Sequence, residues 1–280
     1  MPANQAPVRG LRSTRVLLLL PLIALLYFAG WNSAGNAAPP TVPSYDHIFF
    51  VVGENHSRTQ VVGPAPYLTA LANANAQSST YFAVTHPSVN NYMALFSGQT
   101  YSSITDSCTV TATSCSTNAV NIADEVKASG RTARGYMETM PSTCYLTHGS
   151  GAYTERHNPF PYFNQIRTSS RCAAEDVPYT QLASDLSSTA TTPNFAWITP
   201  NLMNDMHDGT VAQGDAWAKA NFPTIFNSPA WKTQRSLLVF TTDEDDFTPV
   251  NNVPFIAVSS DGSTKTGGYV STVHSTHYSW

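Results

Sequence analysis

The segment that most restricts what this chain can fold into is Tyr45-Asp46-His47-Ile48-Phe49-Phe50-Val51-Val52. A strand with one wet face alternates apolar and polar residues, yet Ile48 to Val52 is apolar without a break. Such a run must be covered on both faces, which is the condition of a strand buried in a parallel sheet. Strand-like and helix-like stretches then alternate. Pro66 to Ala76 reads as a helix, Ser79 to Val84 as a strand, and a second helix starts at Ser88. Asn121 to Ala128 reads as a helix ended by Gly130, and Thr132 to Met137 as a strand. After an irregular stretch over 140–175 come a helix at Tyr179 to Leu186, a strand at Asn194 to Ile198, and a helix at Ala212 to Phe226. Strands at Ser236 to Thr241 and Val253 to Val258 complete the pattern. The alternation predicts one α/β domain with a mostly parallel sheet, without internal repeats or a second domain.

The 280 residues include 42% apolar ones, enough for a sizeable core, but only 11% charged ones. Ser, Thr and Asn fill that gap, which suits an extracellular surface. The net charge of −4, with no Lys or Arg run after residue 15, excludes nucleic-acid binding by bulk electrostatics. Residues 1–38 read as a signal peptide. Arg9, Arg12 and Arg15 make a positive start, Val16 to Ala29 an apolar stretch broken by Pro21, and Ala34-Gly35-Asn36-Ala37-Ala38 a small-residue cleavage region. Export, with a secreted or cell-envelope location, follows whether this leader is cleaved or kept as an anchor. Residues 39–44 form a Pro-rich linker, and 45–280 the globular domain. Four cysteines allow three pairings, of which the sequential one, Cys108 with Cys115 and Cys144 with Cys172, is expected for an exported chain. No Cys-x-x-Cys is present to favour zinc.

Polar residues collect where strands end, which is where open α/β sheets bind ligands. Val52 is followed by Gly53-Glu54-Asn55-His56, Val84 by Thr85-His86-Pro87-Ser88, Ile198 by a loop reaching Asn204-Asp205-Met206-His207-Asp208, and Phe240 by Thr241-Thr242-Asp243-Glu244-Asp245-Asp246. Singly, each has a plain structural explanation: Ser88 as a helix N-cap, the acidic run as a solvated turn, His207 as a surface imidazole. Jointly they describe a site. Ser88 stands at a strand-to-helix turn, where unpaired N–H groups and the helix dipole attract anions. Glu54, Asn55, Asp243 and Glu244 offer oxygen, which favours Mg²⁺, Ca²⁺ or Mn²⁺ over zinc. His207 and His157 are suited to contact a phosphoryl group or protonate a leaving alkoxide.

The ordered segments Glu54-Asn55-His56-Ser57, Ala65-Pro66-Tyr67-Leu68, Thr85-His86-Pro87-Ser88, Asn91-Tyr92-Met93-Ala94-Leu95-Phe96-Ser97-Gly98, Arg156-His157-Asn158-Pro159-Phe160, Asn204-Asp205-Met206-His207-Asp208-Gly209, Gly214-Asp215-Ala216-Trp217, Asp243-Glu244 and His277-Tyr278-Ser279 together resemble the bacterial secreted phosphoesterases. That family includes acid phosphatases, phosphatidylinositol-3-phosphatases and, more distantly, phospholipases C, within the alkaline-phosphatase-like superfamily. The resemblance implies a three-layer α/β/α sandwich and metal-assisted nucleophilic chemistry. It implies Ser88 as nucleophile, His157 and His207 near the phosphoryl group, and Glu54, Asn55, Asp243, Glu244 and His277 as metal ligands. Asn55, His86, Asn91 and Arg156 are the expected substrate contacts. Two departures are visible. Asn90 stands where the family usually has Pro, and relatives continue past His-Tyr-Ser with Leu and a further helix. The family's C-terminal helix is therefore expected to be missing, with apolar surface exposed and His277 weakly held.

The expected activity is that of an exported, metal-dependent phosphomonoesterase, an acid phosphatase with phosphatidylinositol 3-phosphate among its candidate substrates. The alternative is a phospholipase C-type phosphodiesterase. Tyr145, Tyr153, Phe160, Tyr162 and Phe163 would then meet lipid, giving peripheral contact with a membrane. A catalytically dead cell-surface binding protein is the third reading.

Overall fold

A computed structural model describes residues 43–264 and 267–279. The expected leader over 1–38, linker residues 39–42 and Trp280 lie outside the described residues. Ten strands are present among them: β1 (His47–Gly53), β2 (Ala76–Ser78), β3 (Tyr81–Phe82), β4 (Ala133–Met137), β5 (Asp176–Pro178), β6 (Phe195–Thr199), β7 (Ser236–Thr242), β8 (Phe255–Ser259), β9 (Tyr269–Ser271) and β10 (Ser275–Thr276). The α-helices are α1 (Arg58–Val61), α2 (Pro66–Ala74), α3 (Val89–Ser97), α4 (Ile122–Ala128), α5 (Asn164–Arg167), α6 (Arg171–Glu175), α7 (Leu182–Asp185), α8 (Val211–Phe226) and α9 (Pro229–Thr233).

Eight strands make one sheet in the order β5-β4-β6-β1-β7-β8-β2-β9, while β3 and β10 pair separately. The β5-β4-β6-β1-β7 block is parallel throughout, and β8 is antiparallel to both of its neighbours. The unbroken apolar run lies at the centre, and its residues divide between two cores. Phe49 and Val51 share one with Leu68 and Ala72 of α2 and with Ala218 and Phe222 of α8. Phe50 and Val52 share the other with Val89, Tyr92 and Met93 of α3 and with Phe160. Helices thus cover both faces, completing a three-layer α/β/α sandwich. Each such fully buried side chain contributes roughly 1.5–3 kcal/mol.

Two of the recognised segments meet in one contact. Asp215 on α8 accepts the N–H groups of Tyr67 (3.1 Å) and Leu68 (2.8 Å) in the first turn of α2. The helix starts at Pro66 without a capping side chain from its own N-cap residue, Ala65, and Asp215 supplies the acceptor from across the interface. Both disulfides form as expected, Cys108–Cys115 and Cys144–Cys172.

Elsewhere the reading of the sequence needs correction. The expected strand over 79–84 shrinks to β3 and leaves the main sheet. The main-sheet strand is β2, at the end of the expected α2. Helix α2 ends at Asn75, whose backbone leaves the helical region (φ −123°, ψ −144°) while its N–H and side-chain amide both donate to the Leu71 carbonyl (each 3.0 Å). The irregular stretch over 140–175 contributes part of the core. Tyr153, Phe160, Tyr162 and Phe163 are buried and Tyr145 is half-buried, so they offer little surface to lipid. Phe160 and Phe163 pack on Phe96, with ring centroids at 4.7 and 5.5 Å.

Candidate active site

Parallel pairing fixes which loops meet. Gly53 at the end of β1 is in register with Thr242 of β7, and Val51 with Ile198 of β6, so three neighbouring strands deliver their loops to one edge. The Asp243 N–H donates to the Gly53 carbonyl at 3.0 Å, and the Glu54 N–H to the Asp205 carbonyl at 2.7 Å. Asn55 has φ 50°, a left-handed conformation that Asn tolerates better than most residues. Its N–H donates to Asp243 Oδ1 at 3.2 Å. Its amide nitrogen, assigned from the acceptors around it, lies 3.1 Å from Glu54 Oε2 and 3.2 Å from Glu244 Oε1.

Ser88 reaches this edge from the start of α3. Its hydroxyl is 3.3 Å from Glu54 Oε2 and 3.2 Å from Glu244 Oε1 and is buried. It makes no capping hydrogen bond to the helix, so capping does not account for it. Tyr92, four residues on and therefore on the same helix face, donates to Glu54 Oε1. It also stacks on His157, with rings 5.4 Å apart and 4° from parallel. The His157 Nδ1 is 3.1 Å from Asp205 Oδ2, and its Nε2 is 3.4 Å from Glu54 Oε1. Glu54 thus joins two half-sites, one toward Ser88, Asp243 and Glu244, the other toward His157 and Asp205.

Burial is the first cause of every acidity change here. It pushes the Asp243 carboxyl up to about 7. Burial and then the Asp243 charge push Glu244 up to about 9. Glu54 is raised well above its ordinary value by burial and then by Asp243 and Asp205, and burial also raises Asp205. The same burial holds His157 well below the usual imidazole range, with the His207 charge adding to the effect. Such a set of carboxyls needs either protons or a cation. A cation fits better, because Asp243 Oδ2 is buried without a hydrogen-bond partner and the surrounding donors are mostly oxygen. The ligand atoms of Glu54, His157 and Asp205 also lie within 4.8 Å of one another, a second place able to hold one.

Other expected residues have different surroundings. Asn91 accepts from the Val84 and Thr85 N–H groups (3.1 Å each) and donates to the Thr85 carbonyl (2.9 Å), and its amide also donates to Glu244 Oε2 at 3.4 Å. It shapes the turn and also faces the cup through Glu244. His86 has both ring nitrogens engaged, by Glu244 Oε2 (2.5 Å) and the Thr248 carbonyl (3.2 Å), and therefore orients Glu244. His277 also has both engaged. Its Nε2 donates to the Asp243 carbonyl at 2.6 Å, and its Nδ1 faces the Tyr81 hydroxyl at 3.1 Å. Burial lowers it to about 4 and keeps it neutral. His277 thus stands buried behind Asp243 and is firmly held, against the expectation of a weakly held residue. His207 is half-buried beside His157, at 5.3 Å between rings. Arg156 is half-buried in the same turn as His157, and its Nε has no partner among the described residues.

Asp205 and Tyr92 are the residues that reading the sequence left without a role. Glu138 is another, accepting from the Asn201 N–H and the Asn204 amide (2.9 Å each) and from the Trp217 indole (3.0 Å), which ties down the loop before Asp205. A carboxylate-rich cup at parallel strand ends with a serine at a helix start is an arrangement suited to phosphoryl transfer. The profile described as "Phosphoesterase family" matches residues 62–272. The chain is 33% identical over 251 residues to a phosphatidylinositol-3-phosphatase of Mycobacterium tuberculosis, covering 88% of this chain and 80% of that protein.

The chain belongs to the phosphoesterase family.

This phosphoesterase is also 29% identical over 184 residues to a phosphate-repressible acid phosphatase of Penicillium chrysogenum, covering 64% of the chain but only 43% of the fungal protein. Among solved structures it resembles an alkaline phosphatase superfamily protein of Vibrio parahaemolyticus, with TM-score 0.57, 14% identity, and coverage of 85% of this chain and 65% of that one. It resembles the lipoteichoic acid synthase LtaP of Listeria monocytogenes at TM-score 0.52, 10% identity, and 83% and 69% coverage. At such identities the likeness speaks for the fold alone. This phosphoesterase is a hydrolase acting on phosphate esters.

Proposed function

We propose that the chain is an exported, cation-dependent phosphomonoesterase in which Ser88 is the nucleophile. The observation that carries this reading is the position of the Ser88 hydroxyl, 3.2–3.3 Å from two buried carboxylates and free of any capping bond. The Ser88 hydroxyl proton passes to one of the two carboxylates it faces, Oγ attacks phosphorus, the bond to the ester oxygen breaks, and that oxygen takes a proton at the mouth of the site. Water then cleaves the phosphoserine, releasing phosphate and restoring the serine. A divalent ion held by Glu54, Asp243 and Glu244, with the Asn55 amide beside them, would supply charge neutralisation for the carboxylates and phosphoryl oxygens and favour ionisation of Ser88. His157 is better suited to holding a cation with Asp205 than to protonating a leaving group, because burial keeps it neutral. His207, half-exposed, serves the ester oxygen, and Arg156 the phosphoryl oxygens.

The mycobacterial relative's name supports a phosphoinositide monoester as substrate. Burial of the aromatics over 140–175 weakens the phospholipase alternative. Two disulfides favour an oxidising compartment outside the cytoplasm, and no described helix is long and apolar enough to cross a membrane. Ser88→Ala is expected to fold as the native protein does and to lose at least ~10³-fold in turnover of p-nitrophenyl phosphate, as nucleophile removal does in serine hydrolases. Native-like turnover by Ser88→Ala would refute the assignment. Phosphate release from phosphatidylinositol 3-phosphate, with none of the diacylglycerol expected from phosphatidylcholine cleavage, separates monoesterase from phospholipase.

A further inference from the structure

Ser88 opens α3 and belongs to a residue type that normally caps a helix, yet its backbone is already helical, at φ −50° and ψ −54°. A capping serine is extended instead, and its hydroxyl accepts from the second or third N–H of the helix, here those of Asn90 and Asn91. Something must hold Ser88 out of that conformation. The Val89 N–H, which shares a peptide plane with the Ser88 carbonyl, donates to Asp106 Oδ1 at 2.9 Å. A hydrogen bond to that plane holds ψ of Ser88 in the helical range, where the Asn91 N–H donates to the Ser88 carbonyl (2.8 Å) and not to its hydroxyl.

Asp106 comes from a separate loop that is tied to the helix and to itself. The Asn90 side chain donates to the Ile104 carbonyl at 2.9 Å and accepts from the Tyr101 N–H at 2.8 Å. Ile104 is fully buried. Beyond Asp106, the Cys108 N–H donates to the Thr105 carbonyl at 2.8 Å, and Cys108 is bridged to Cys115.

We infer that Asp106 is a positioning residue for the nucleophile. By capping α3 from outside, it releases the Ser88 hydroxyl from the helix and turns it toward Glu54 and Glu244, and the Cys108–Cys115 loop holds Asp106 in place. Without this bond, Ser88 relaxes toward the extended conformation and its hydroxyl caps α3, where it cannot attack phosphorus. Asn90, the departure from the usual Pro, is a working part of this clamp, because its side chain carries both bonds to the loop.

The inference rests on Ser88 as nucleophile, and the test separates the two claims. Purified native protein, Ser88→Ala, Asp106→Ala, Asp106→Asn and the double variant Cys108→Ser with Cys115→Ser are assayed with p-nitrophenyl phosphate in the presence of a divalent cation. Asp106→Ala is expected to lower kcat roughly 5- to 30-fold, the range by which a competing cap shifts a two-state equilibrium, with KM within about twofold. Asp106→Asn keeps a carbonyl acceptor for Val89 and is expected to retain kcat within about twofold. The double variant is expected to lower kcat while leaving KM unchanged. Native kcat in Asp106→Ala, or in the double variant, overturns the inference if Ser88→Ala is inactive. So does a loss in Asp106→Asn equal to that in Asp106→Ala; if Asp106→Ala does not fold, native kcat in the double variant, or a loss of more than about fivefold in Asp106→Asn, overturns it. An active Ser88→Ala instead removes the nucleophile reading beneath it.

Discussion

Replacing Asp243 by Asn separates what the cup does for catalysis from what it does for stability. The Asp243 carboxyl ionises at about 7 in the folded protein against an ordinary 3.8. At about 1.4 kcal/mol per pH unit, its charged form at pH 8 carries a penalty of roughly 4 kcal/mol without a cation. Asn removes the charge and keeps the acceptor that meets the Asn55 N–H at 3.2 Å. The amide nitrogen can stand where Oδ2 is buried without a partner, next to the Glu54 carboxylate. Burying a neutral amide still has a cost, so a net gain of about 2 kcal/mol is expected. For a domain of this size that raises the melting temperature by about 4–8 °C. The assay is thermal unfolding at pH 8 after exhaustive chelation, for native protein and Asp243→Asn. Titration with Mg²⁺, Ca²⁺ and Mn²⁺ follows. The variant melts higher without a cation, gains less than the native protein when one is added, and loses nearly all phosphatase activity. A metal-free variant that melts lower than native protein, or that gains as much from the cation, would refute the view that Asp243 is a strained cation ligand.

The pH dependence of the metal-free protein follows from the same groups. Asp243 and Glu244 hold protons more tightly folded than unfolded, ionising at about 7 and about 9 against 3.8 and 4.5. Stability from them is fully present below pH 4 and is lost as pH rises through 7 to 9, so the chelated protein melts lower at pH 9 than at pH 6. Added cation should raise the melting temperature most at the alkaline end, where it meets least competition from protons; a flat profile after chelation would contradict this. Asp215→Ala leaves the Tyr67 and Leu68 N–H groups without their acceptor and is expected to cost about 1–2 kcal/mol, read as a melting point lower by about 2–8 °C with KM little changed. An unchanged melting point would show that α2 is capped in another way.

The division of labour between sequence and structure is visible residue by residue. The unbroken Ile48–Val52 run marked a strand covered on both faces, because period-2 geometry leaves no other way to bury consecutive apolar side chains. The strand-end rule then gathered Glu54, Asn55, Asp243 and Glu244 at one edge, and parallel register brought them together. Tyr92 was within reach of the same reasoning, lying one turn after Ser88 on one helix face. The short strands β5, β9 and β10 carry almost no periodic signal, and their pairing depends on partners far away in the chain. The burial of the aromatic residues over 140–175 had no sequence signal because it comes from packing against Phe96 and Trp197, not from a local repeat.

The roles of the polar residues were decided at a different level. Residue type marks Asn91, His86 and His277 equally well as ligands or as braces, since an amide or imidazole is spent on whichever partner lies 3 Å away. Only the folded contacts brought Asn91 to Thr85 and Glu244, His86 to Glu244 and His277 to the Asp243 carbonyl. In the same way Asp106, which local sequence leaves as one more loop carboxylate, acquires its place from a hydrogen bond to Val89 across seventeen residues. Sequence alone carries the alternation that builds the sheet and the oxygen-rich chemistry of its edge, because both are written in neighbouring residues. Which donor faces which acceptor belongs to the tertiary structure, because hydrogen bonds are short-ranged and directional, and only the completed fold sets those distances.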